Sequence, residues 1–95
     1  MKLKNRIAII TGGGKGIGAE LSLKLASEGA KIIIAEMDVP NGEITAKKIR
    51  ENNGEAIVIK TNVADEDSVN NMANEAINVF GKIDPFLYLS MYMYI

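Results

Sequence analysis

The stretch Thr11-Gly12-Gly13-Gly14-Lys15-Gly16-Ile17-Gly18 constrains this chain most, because of what flanks it. The apolar run Ile7-Ala8-Ile9-Ile10 stands before it, and Ala19-Glu20-Leu21-Ser22-Leu23-Lys24-Leu25-Ala26 follows. Unbroken apolar sequence suits a strand buried on both faces, as in a parallel sheet. Ile17, Leu21 and Leu25 recur at i+4, the spacing of one helix face, and are expected to meet the sheet. Glycines between strand and helix permit backbone angles that other residues avoid, and they leave no Cβ in the way of a ligand. The N–H groups and dipole of the helix start then favour an anion such as a pyrophosphate.

The spacing narrows this. A P-loop needs Lys-Ser or Lys-Thr after its last glycine, but Ala19 and Glu20 follow Gly18. No window gives G-x-G-x-x-G; the pattern is T-G-x-x-x-G-x-G, with Gly12, Gly16 and Gly18 in the key places. It resembles the N-terminal motif of the short-chain dehydrogenase/reductase family. That resemblance implies a Rossmann-like fold and dinucleotide contacts from Thr11, Gly12, Gly14, Lys15, Gly16, Ile17 and Gly18. The plain alternative, a flexible glycine loop, fits poorly between a strand and an amphipathic helix.

A chain of 95 residues makes one small domain. Eleven basic against twelve acidic residues give a net charge of −1 without a basic stripe, so nucleic acid and anionic membranes are not expected partners. The absence of cysteine and histidine excludes disulfides, the usual zinc sites and imidazole catalysis; no metal is expected. The N-terminal apolar run ends at Ile10, short of the roughly 7–15 residues of a signal peptide's core, so a cytoplasmic location is expected.

Strand and helix patterns alternate, predicting an α/β fold with a doubly wound parallel sheet of about four strands in the order 3-2-1-4. Strands are expected over Arg6 to Thr11, Lys31 to Ala35 and Ala56 to Lys60, with a fourth after Asp84. Gly29 is placed to end the first helix. Pro40-Asn41-Gly42 reads as turn chemistry, with Asn41 capping a mostly solvated second helix that ends near Asn53-Gly54. Asp65 should cap a third helix from about Glu66 to Phe80, with Val69, Met72, Ala73, Ala76, Ile77 and Phe80 as its apolar stripe. Gly81 should stop it.

Glu36 follows the second strand, eighteen residues after Gly18, where a dinucleotide fold sets its ribose acid. A carboxylate there accepts hydrogen bonds from ribose hydroxyls and repels a 2′-phosphate, so NAD is expected rather than NADP. Asp38 is a weaker candidate, and an ordinary strand-end acid is the simpler reading of Glu36. Lys15 points the other way, since basic residues near that glycine occur in family members using NADP. A solvated loop lysine is more weakly felt than an acid at the ribose itself. Asn62-Val63 stands where the family usually has Asp-Val against the adenine. Asn62 serves equally as adenine contact or turn residue.

The resemblance continues through Phe80-Gly81-Lys82-Ile83-Asp84, making 1–84 the dinucleotide-binding half and 85–95 a divergent apolar tail. At Tyr88-Leu89-Ser90-Met91 the family's Asn-Asn-Ala-Gly is missing. The family's catalytic pair is Tyr-x-x-x-Lys, in which a lysine lowers the pKa of a proton-transferring tyrosine. Here Lys82 is the last lysine and precedes all three tyrosines, so no such pair exists and no catalytic residue is assigned. The expectation is the cofactor-binding portion of a nicotinamide-dependent alcohol or carbonyl oxidoreductase, truncated and inactive as it stands. The alternative is a non-catalytic module that binds dinucleotide or a partner chain, with self-association through an exposed sheet edge or the apolar tail.

Overall fold

The structure, a computed structural model, describes residues 4, 6–12 and 16–80. Its elements run β1 (Ile7–Thr11), α1 (Gly16–Ser27), β2 (Lys31–Glu36), α2 (Val39–Glu51), β3 (Ala56–Lys60) and α3 (Glu66–Phe80). The strands form a parallel sheet in the order β1-β2-β3. This matches the 3-2-1 part of the expected order. The expected fourth strand, the helix stop at Gly81 and the 85–95 tail lie outside the described residues.

Alternate residues of each strand feed two cores. Ala8, Ile10, Ile32, Ile34 and Ala56 pack with Ala46 and Ile49 of α2, flanked by leucines of α1. Ile7, Ile9, Ile33, Ala35 and Ile59 pack on the opposite face with Met72 and Ala76 of α3. The crossover helices α1 and α2 thus share one face and α3 takes the other, as a doubly wound sheet requires. Ile32, Ile33 and Ile34 are each 0% exposed, and full burial of such a side chain stabilises by about 1.5–3 kcal/mol.

Several details differ from the sequence reading. Ile17 is 66% exposed and does not meet the sheet, whereas Leu21 and Leu25 pack against the core as expected. The residues of α1 buried deepest are Gly18 and Ser22, and the Ser22 hydroxyl donates to the Gly18 carbonyl at 2.8 Å. Small residues let the helix approach closely, and hydropathy is blind to them. The cap of α2 is Asp38, not Asn41: its carboxylate accepts from the Asn41 N–H at 3.3 Å. Pro40 sits within the first turn, where a missing N–H costs nothing. Ile44, Lys47, Lys48 and Glu51 of α2 are exposed as expected, while Gly42, Thr45, Ala46 and Ile49 bury its other face. A Cβ on Gly42 would stand 2.8 Å from Val58 Cγ1, so glycine brings α2 down onto β3.

The helix ends use left-handed residues. Gly29 (φ 97°) donates to Ala26 O at 2.9 Å, and Ala30 donates to Leu25 O at 3.1 Å, a Schellman closure of α1. Asn53 (φ 67°) and Gly54 close α2 the same way, donating to Arg50 O and Ile49 O. Asp65 caps α3 as expected, its Oδ1 accepting from the N–H groups of Asp67 (3.0 Å) and Ser68 (3.4 Å). Of the expected stripe on α3, Met72 and Ala76 are buried, while Ile77 remains 44% exposed.

Candidate functional site

Parallel strands bring their C-terminal ends to one edge of the sheet, so the segments after β1, β2 and β3 are neighbours there. Main-chain bonds carry the ladder past the last strand pairs. Gly12 N–H donates to Ala35 O at 3.0 Å, and Thr61 N–H donates to Glu36 O at 3.2 Å. Thr11, 3% exposed, ends β1 at this edge. Gly12 then turns the chain at φ 66°, and α1 opens on Gly16 at φ 53°. An added Cβ on Gly16 would meet no atom of the described residues within 4 Å, so among them the space beside the helix start is open. No acidic residue occupies the first turn of α1, whereas α3 carries Glu66 and Asp67 in its own. Gly14 and Lys15 lie outside the described residues.

Glu36 ends β2 half-buried, its Oε1 accepting from the Asp38 N–H at 3.3 Å. Asp38 is less suited to a ligand, because its carboxylate caps α2. Beyond β3, Thr61 is buried and donates its hydroxyl to Ile59 O at 2.9 Å. Asn62 does form turn chemistry: its Oδ1 accepts from Ala64 N–H at 3.0 Å, and its own N–H donates to Ser68 Oγ at 2.9 Å. Val63 follows, 47% exposed.

The structure thus gathers Thr11, Gly12, Gly16, Ile17 and Gly18 with Glu36, Asn62 and Val63 along one edge. Met37 belongs with them and escaped the sequence reading. At 57% exposed it follows Glu36 directly, and a single apolar residue in a connecting loop carries no periodic signal. Six large hydrophobic side chains are notably exposed among the described residues, and Ile17, Met37 and Val63 are three of them. This edge therefore offers helix-start donors for an anion, a carboxylate acceptor and apolar surface suited to a flat ring. A dinucleotide fits these features: open space beside Gly16 for its phosphates and an acid one strand away for a ribose. No helix among the described residues is long and apolar enough to cross a membrane.

Comparison with known proteins agrees. The family model for short chain dehydrogenases matches residues 6–88. An uncharacterized oxidoreductase of Thermotoga maritima is 39% identical over 82 residues, covering 86% of this chain and 32% of the relative. Hydroxysteroid dehydrogenase from Escherichia coli superposes with a TM-score of 0.85 at 28% identity, covering 95% of this chain and 37% of that one. NAD+-bound xylitol dehydrogenase superposes at 0.82 with 31% identity, over 88% and 32% of the two chains. A metagenomic short-chain oxidoreductase in complex with NADP reaches 0.81 at 27% identity, over 88% and 38%. The chain spans about a third of the length of the curated relatives it matches. With residues 6–88 of the chain matched by the family model and a doubly wound parallel sheet in place, the chain belongs to the short chain dehydrogenase family.

Proposed function

We propose that residues 1–84 form the dinucleotide-binding part of a nicotinamide-dependent oxidoreductase acting on alcohols or carbonyls, with NAD preferred over NADP. One observation carries this reading: the open space beside Gly16, at a helix start one strand away from Glu36. In this assignment Thr11, Gly12 and Gly14 belong to the phosphate-binding motif, and the N–H groups of Gly16, Ile17 and Gly18 face the pyrophosphate. Lys15 contributes its positive charge to phosphate binding. Glu36 accepts hydrogen bonds from the adenosine ribose, and Asn62 and Val63 border the adenine. The nicotinamide, when bound, supplies hydride exchange. The relatives' names speak of oxidoreductases, and two of the superposing structures hold NAD and NADP respectively, which supports the cofactor class.

Binding is the readout that tests this, since the sequence contains no Tyr-x-x-x-Lys. Isothermal titration of NAD into the chain should give a saturable heat. Absence of any heat at millimolar NAD would defeat the reading.

A further inference from the structure

The geometry points to Lys60 as a residue that sets cofactor specificity, acting across the β2–β3 ladder on the same ribose position as Glu36; this rests on the cofactor reading above. Lys60 is the direct register partner of Glu36, and the Thr61 N–H bond to Glu36 O holds that alignment one residue further. Register partners on adjacent strands present their side chains to the same face of the sheet. Ile32 and Ile34 on β2, with Ala56 on β3, belong to the core beneath α1 and α2. Glu36 and Lys60 are in phase with them, so both stand on that face at the C-terminal edge.

Glu36 is half-buried and Lys60 exposed. The next acids along the chain are engaged elsewhere, Asp38 in capping α2 and Glu43 in a 3.2 Å pair with Arg50. Alone, Glu36 would repel a 2′-phosphate at close range. A cation one strand away lies well within a Debye length of about 8–10 Å, offsetting that repulsion and attracting the phosphate. The uncharged ribose hydroxyls of NAD respond far less. Lys60 therefore narrows the gap between the two nucleotides that Glu36 opens.

The test is isothermal titration of NAD and NADP into the full 95-residue chain and its variants, at about 0.05 M and about 0.5 M salt. Lys60→Gln should weaken NADP about three- to tenfold at low salt and leave NAD within about twofold, with the difference shrinking at high salt. Lys60→Glu should widen it. Lys48→Gln, at an exposed position on α2, is the control and should change neither. An equal loss for both nucleotides, an unchanged ratio, or wild-type protein that binds NAD but not NADP overturns the assignment. If the wild type binds neither, the cofactor reading itself fails and the role of Lys60 falls with it.

Discussion

A methyl group at Gly16 would touch none of the described residues, yet the backbone there holds φ at 53°, where an L side chain costs about 1–2 kcal/mol. Gly16→Ala should therefore lower stability by about 1 kcal/mol in urea titration. It should also weaken NAD by tenfold or more, because the methyl would occupy space assigned to phosphate. A loss of stability with unchanged NAD affinity would place the phosphates elsewhere. At Glu36 the effect is electrostatic. Glu36→Gln should weaken NAD about tenfold, the scale of one hydrogen bond to a charged group, while NADP binds more tightly. Competition titration of the two nucleotides reads both changes at once.

Among the elements, α2 is the most sharply constrained. Gly42→Ala gains about 1 kcal/mol of helix propensity but drives a Cβ against Val58, an overpacking cost of about 1–3 kcal/mol. Net destabilisation is expected by urea melting, and a Val58→Ala partner should recover part of it, giving a measurable coupling in the double-mutant cycle. Asp65→Ala removes the acceptor for two N–H groups at the start of α3 and should cost about 1 kcal/mol. These elements differ in how legible they were. The strands declared themselves as unbroken apolar runs, and α3 through its cap and the Met72–Ala76 spacing. The seat of α1 on Gly18 and Ser22 was hidden, because residues that pack by being small carry no hydrophobic signal. Pro40 concealed the start of α2, since proline serves both a turn and a first helical turn.

For the whole molecule, ligand and fold are linked. NAD at about one hundred times its dissociation constant should add about 2.7 kcal/mol to unfolding, visible as a raised melting temperature, if it binds only the native chain. The layered architecture followed from the strand–helix alternation, without side-chain detail. The β1–α1 junction between Gly12 and Gly16 and the strand-end place of Glu36 were legible because their spacing reports a backbone path. The nearness of Met37 and Lys60 at this edge was not, for it appears only once parallel pairing sets the ends of β2 and β3 side by side.

That pairing has an evolutionary corollary. The bonds from Gly12 to Ala35 and from Thr61 to Glu36 are purely main-chain, and they lace the three loop mouths into a stiff lip. Side chains on such a lip are exchangeable without loosening it, so a lineage can trade one nucleotide for another by point substitution while the scaffold keeps its shape.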